Sequence, residues 1–264
     1  MVVNEFYHVL PSNSSMNYFP ANSLTRFTTR LPRHHDLHGQ WEVGLVEMQY
    51  PHNWYNIPER SSLVKWETGV PLSKGEFHLE QGYYENPGTL LNAIRDQINA
   101  NLPDDNHIEI YYFAIRRKVY VRFGLNSALS SIDVGPHVQR LLGLSSSVID
   151  SRECSGLVDI DPIHDLYVYC DLVEPRVVGD KMAPLLRSVP VLHRDGNTIN
   201  EIFENVHYVP VSRTTFDTIE IDIRDSTGES IPFEGGTLKV TLHFRRRRNG
   251  FLSRSGRTKR SRFR

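Results

Sequence analysis

Cysteine is nearly absent. The 264 residues hold two, Cys154 and Cys170. Two cysteines make no disulfide framework, and they lack the CxxC spacing of a zinc site. No apolar run approaches the ~18–20 residues of a membrane span. MVVNEFYHVL has no basic flank with an apolar core behind it, so no secretory signal is expected. These absences predict a soluble protein made in a reducing compartment, in which the sequon Asn13-Ser14-Ser15 stays unused. Glycine loops of the Walker or dinucleotide type are missing, as is a Gly-x-Ser-x-Gly elbow.

Acidic residues are missing from one stretch. Residues 245–264 hold 10 of the 30 Lys and Arg and none of the 31 Asp and Glu. The rest of the chain carries 20 basic against 31 acidic residues, a net of −11 hidden beneath an overall −1. The composition is globular, with 39% hydrophobic and 23% charged residues. An acidic globule with a cationic appendage is therefore expected.

Most of the periodicity is two. In TLKVTLHF, Leu238, Val240, Leu242 and Phe244 share one face; in Asp217–Arg224, Ile219, Ile221 and Ile223 do. Leu166–Val173, Glu5–Leu10, Leu24–Leu31 and Leu63–Thr68 read as further strands. WEVGLVEMQY is the most apolar. Its phase moves from Trp41, Val43 and Leu45 to Val46, Met48 and Tyr50, which predicts a central strand or a bulge. The middle differs. Asn86-Pro87 caps a helix whose Leu90, Leu91, Ile94, Ile98 and Leu102 share a face. A hairpin follows, Ile108–Phe113 with Lys118–Phe123, and then a short helix, His137–Leu142, ending at Gly143.

This order predicts a mainly β protein, a single jelly-roll β-sandwich with an α+β insert and a disordered basic C-terminal tail. The boundaries read as 1–74 for the first part of the jelly roll, 75–152 for the insert, 153–244 for the second part and 245–264 for the tail. Neither terminal segment has enough strands alone, so strands from both ends must share the sandwich.

Candidate chemistry is thin. His34-His35-Asp36-Leu37-His38 has histidines four apart, but it is bracketed by Pro32 and Gly39 and reads as a loop of solvated histidines. Asp225-Ser226-Thr227-Gly228 breaks the aspartic-protease spacing and reads as a turn. His164-Asp165 has no nucleophile elbow beside it. Cys170 lies on an apolar strand face and reads as core. No catalytic, cofactor or metal residue is assigned, and no enzyme is expected.

FYHVLPSNSSMNYFPANSLTRFTTRLP and GQWEVGLVEMQYPHNWYNI resemble the opening of the penton (minor capsid) proteins of Polinton/Maverick elements and adintoviruses. VYCDLVEPRVVGDKMAPLLRSVPV and HYVPVSRTTFDTIEIDIRDSTGESIPFEGGTLKVTLHFRR resemble their closing half. The resemblance implies a structural virion protein, a homopentamer at icosahedral vertices beside double-jelly-roll major capsid proteins. It implies a place in the virion capsid, reached through the host nucleus or cytoplasm during assembly, and no cofactor. The 12 Phe, 12 Tyr and 3 Trp suit subunit interfaces. In that setting Arg245, Arg246, Arg247, Arg248, Arg254, Arg257, Lys259, Arg260, Arg262 and Arg264 would contact genomic DNA or the capsid interior. The same residues also fit a nuclear-import signal, and the alternative reading is a cellular β-sandwich binding module with such a tail.

Overall fold

The computed structural model describes residues 4–58, 62–68, 74–102, 107–122, 129–146, 148–149, 156–161, 163–192 and 198–247. The chain opens with β1 (Glu5–Pro11), β2 (Arg26–Asp36) and β3 (Trp41–Pro51). It continues through β4 (Leu63–Thr68), β5 (Lys74–His78), α1 (Pro87–Asn99), β6 (Glu109–Phe113), β7 (Lys118–Arg122), β8 (Leu129–Asp133), α2 (Gly135–Leu141) and β9 (Val148–Ile149). Then come β10 (Asp165–Cys170), β11 (Arg176–Val178), β12 (Lys181–Ala183), β13 (Leu185–Pro190), β14 (Thr198–Ile202), β15 (Val209–Pro210), β16 (Thr215–Arg224) and β17 (Lys239–Arg246).

Two antiparallel sheets form the sandwich. One runs β1-β17-β3-β14, with β15 also pairing β3; the other runs β13-β10-β16-β2. First and last strands are neighbours, and β3 of the N-terminal part lies beside β17. This is the jelly-roll order, with both sheets built from long-range pairings. The inward residues meet in one core: Leu10, Phe27, Val43, Leu45, Met48, Leu166, Val168, Ile221, Val240, Leu242 and Phe244 are all buried. Cys170 joins them, and burial pushes its thiol up to about 12, so it is no nucleophile. Cys154 lies outside the described residues.

The phase shift in β3 has both expected causes. β3 is central, flanked by β17 and β14. The register with β17 slips between Thr241↔Glu47 and Leu242↔Leu45, leaving Val46 as the extra residue. A single inserted residue turns Met48 and Tyr50 back to the core that Val43 and Leu45 face.

Two boundaries differ from expectation. β2 does not stop at Pro32 but runs to Asp36, so His34 and His35 lie on a strand, while His38 lies beyond it and is exposed as expected. β2 is an edge strand, where a residue without an N–H is tolerated. His34 and His38, the pair four apart, are therefore separated by extended backbone instead of sharing one face of a helix, which removes the shared-metal geometry, and alternation sends His35 inward. Likewise β4, expected in the jelly roll, pairs with β5 and β8 in a separate sheet, β5-β4-β8-β9. A second core unites Ile57, Val64 and Trp66 with α1, α2 and the β6–β7 hairpin and ends at Ile160. The insert therefore starts upstream of residue 75 and closes downstream of residue 152. As expected, Asn86 caps α1, its side chain accepting from Thr89 N at 3.0 Å.

The outer face of β3 is covered. The segment before β15 crosses it at Gly44, where an added Cβ would lie 2.4 Å from Val206 Cγ1 and 3.0 Å from the His207 carbonyl. The valine methyl can give way; the carbonyl cannot. Gly44→Ala is expected to cost about 1–3 kcal/mol, lowering the melting temperature by about 2–4 °C per kcal/mol. An unchanged thermal midpoint would show that this crossing is loose.

Candidate functional site

The strand pairings place two different structures at the two ends of the sandwich. β3 leaves for the insert at Pro51, which pairs with Thr198, and the chain returns at Asp165, which pairs with Pro190. The other end of the same strands is marked by Trp41, paired with Arg246, and by Asp36, paired with Thr215. The basic segment therefore departs from the end opposite the insert.

At that end β17 outruns the apolar alternation. Expectation ended the strand at Phe244, but Arg245 pairs with Glu42 and Arg246 with Trp41. Backbone bonds close it: Arg246 N–H donates to Asn4 O, and Arg247 N–H to Gln40 O, each at 2.8 Å. Arg245 is committed. Its Nε donates to Glu42 Oε1 at 2.6 Å and its guanidinium lies 3.4 Å over the Tyr208 ring. Tyr208 is fixed in turn by a 2.8 Å hydrogen bond to His243 Nδ1. The Arg246 side chain lies against Gly39, which has φ +90 and no room for a side chain facing that guanidinium. Arg245, Arg246 and Arg247 line a polar cleft of about 760 Å³ with Asn4, Glu5 and Glu42.

Of the ten tail residues singled out from sequence, these three share one site. Arg248, Arg254, Arg257, Lys259, Arg260, Arg262 and Arg264 lie outside the described residues. Glu42 and Tyr208 were not foreseen, because an ion pair across 203 positions leaves no local pattern.

The edges of the β1-β17-β3-β14 sheet are a second candidate. On edge strand β1, Phe6, His8 and Leu10 face the core side, while Tyr7 and Val9 are 58% and 55% exposed. FYHVL thus makes a strand apolar on both faces at an edge of the sheet, with the Tyr7 ring stacked on His243 at 4.3 Å. The opposite edge, β14, exposes Ile202; Leu192 and the β11–β12 hairpin also expose apolar side chains.

Two motifs weighed for catalysis have defined partners. His164 pairs with Asp159 at 2.8 Å, not with Asp165. Asp225 Oδ1 accepts from Thr227 N and Glu229 N at 2.8 and 2.9 Å, organising a turn that ends at Gly228. Among the described residues no group of three or more His, Cys, Asp or Glu is placed to hold a metal ion, and no helix is long and apolar enough to cross a membrane.

No protein-family model matches this sequence, and no curated protein matches it. Among solved structures, the mavirus penton protein superposes with TM-score 0.50 at 12% identity, covering 91% of this chain and 99% of the other. A chain of the Sputnik virophage structure gives TM-score 0.48 at 10% identity, over 93% and 98%. At such identities the likeness is one of fold. With the strand order above, the chain is a single jelly roll, interrupted by an α+β insert, that shares its fold with the mavirus penton protein over nearly its whole length.

Proposed function

We propose that this chain is a penton protein: five copies close a ring at an icosahedral vertex, beside double-jelly-roll major capsid proteins. In the assembled shell the insert faces outward and the basic end faces the packaged genome. The observation that carries this is the departure of insert and basic segment from opposite ends of a jelly roll whose fold matches a penton protein. A shell subunit needs such polarity, since one end meets solvent and the other meets polyanion.

Ring closure needs two different contact faces per subunit. The β1 edge, with Tyr7 and Val9, and the β14 side, with Ile202, lie on opposite edges of one sheet and supply them. Charge opposes the contact. The body through Phe244 is net −11, and counting the three arginines anchored at Arg245–Arg247 leaves 23 basic against 31 acidic, −8. Moderate salt screens like-charged subunits and should favour the ring.

Light scattering on the purified protein tests this. The expected mass is about 150 kDa, five times the 30.5 kDa protomer, with the pentamer fraction rising as salt goes from low to moderate. Co-expression with a major capsid protein should incorporate the chain into particles. A monomer in both settings would favour the binding-module reading, and tighter assembly at low salt would refute the charge argument.

A further inference from the structure

We propose that Phe251 and Leu252 of the C-terminal segment turn back onto their own sandwich and seat in the cleft beside the β2–β3 connection, so that the free cationic arm begins only at Ser253. The proposal holds whether or not the chain is a penton.

The cleft opens at the basic end, where several strands end together. Leu37 and Trp41, both buried, and Pro210 and Val211, both half-buried, line it. Its volume is about 230 Å³, room for one aromatic side chain. Backbone bonds fix its frame. Leu37 N–H donates to Thr214 O at 2.7 Å, Val211 N–H to Trp41 O at 2.9 Å, and Glu174 N–H to Pro210 O at 2.9 Å. Walls held this way cannot collapse onto one another, so an apolar side chain is what removes their surface from water.

The occupant follows from where the described chain ends. Arg247 lines this cleft, and so does Gln40, which accepts the Arg247 N–H at 2.8 Å. The chain therefore leaves from the rim itself. Residues 245–264 hold three large apolar side chains, Phe251, Leu252 and Phe263. A segment acting only as a polycation needs none of them. Phe251 is four positions past Arg247, a reach of at most about 14 Å. Asn249-Gly250 between them is a turn-forming dipeptide, and a turn over residues 248–251 keeps its first and last Cα atoms within ~7 Å. The sequence thus directs Phe251 back to the rim.

Charge agrees with this occupant. Arg213 at the rim is held by Asp171 at 2.6 Å, and Arg247 is the start of the segment itself. That leaves the exposed Glu174 carboxylate, which suits an apolar pair carried between arginines 248 and 254. The seat also sets the length of the arm, because Arg254, Arg257, Lys259, Arg260, Arg262 and Arg264 all lie beyond it.

The test uses the full chain, limited trypsin and intact-mass spectrometry. In the wild type the first stable product should end at or beyond Arg254, because seating residues 248–252 hides the bonds after Arg247 and Arg248. Phe251→Ser keeps every cation and alters nothing in the sandwich, and it should speed cleavage after Arg248 ~10-fold or more. Val211→Lys has a stem that can carry its charge to solvent, so it should fold, checked by its melting midpoint, and expose the same bond ~3–10-fold more with Phe251 intact. Phe263→Ser should leave that bond as protected as in the wild type. Equal cleavage after Arg248 in the wild type and Phe251→Ser would overturn the proposal. Protection lost in Phe251→Ser but kept in Val211→Lys would move the seat elsewhere and overturn this cleft. Protection that fades as the protein is diluted to monomer would assign the seat to the segment of a second copy and overturn the return onto its own sandwich.

Discussion

Replacing the seven basic residues at 248, 254, 257, 259, 260, 262 and 264 by serine should cut duplex-DNA affinity by about 10³ at low salt and flatten its salt dependence. Each phosphate neutralised contributes a slope of about −0.7 to −0.9 in log K against log salt. Loss of all seven contacts therefore removes roughly five to six units of slope. Binding should be indifferent to sequence, since phosphate contacts carry no sequence information. Arg245 sets the control. Its charge is matched by Glu42 and its guanidinium is spread on Tyr208, so it serves the end of β17 rather than a ligand. Arg245→Ser should lower thermal stability and leave the DNA salt slope unchanged. Fluorescence anisotropy on two unrelated duplexes across salt reads both outcomes. An unchanged slope in the seven-fold variant ends the genome-contact account and leaves capsid-interior contact and import as the surviving roles. The import reading also contracts, because the cluster Arg245–Arg248 loses its first member to the ion pair.

Period two in the sequence reports which residues are buried, and that much was legible. The faces of β10, β16 and β17 were visible in Leu166–Val173, Ile219–Ile223 and Leu238–Phe244, and Val46 announced its bulge by breaking the phase. Asn86-Pro87 announced a helix because the cap acts within three residues. Period two does not report partners. Leu63–Thr68 alternates the same way whichever sheet receives it, so its membership of the insert was invisible. Pro32 reads as a strand end only if the strand is central, and edge position is a property of the whole fold. The same limit hid Glu42 beneath Arg245, and His8 beside His35. Each pair is made by strands distant in sequence. The penton resemblance supplied the jelly-roll order that periodicity left open among sandwiches.

That last pair should make the protein lose stability in acid. His8 of β1 and His35 of β2 meet edge to face at 4.8 Å where the two sheets approach, among Phe6, Phe216 and Phe244. Neither Nε2 has a hydrogen-bond partner, so a proton there would be desolvated. Burial, then the neighbouring His35, then Arg33, lower the His8 pKa to about 4. Burial, Arg33 and His34 lower His35 as well. Both imidazoles are thus neutral in the folded protein at pH 7. Below pH 6.5 the unfolded chain takes up protons that folded His8 refuses until about 4, so stability falls with pH across that window and levels off beneath it. For His8 alone the loss by pH 4.5 is about 2 kcal/mol after allowance for partial solvation, and His35 adds to it. Asp171 has the opposite sign, since burial raises its carboxyl, and so offsets part of the loss. Urea unfolding at pH 7 and 4.5 should show this loss, and His8→Phe/His35→Phe, which extends the surrounding aromatic cluster, should erase most of it. The same slope in that variant would place the acid response elsewhere. The consequence reaches assembly because β1 has two faces: protonation strikes His8 on the inside of the strand that offers Tyr7 and Val9 outside. If that edge is a ring contact, the wild-type pentamer should dissociate between pH 6.5 and 4, and the double-Phe pentamer should persist to lower pH.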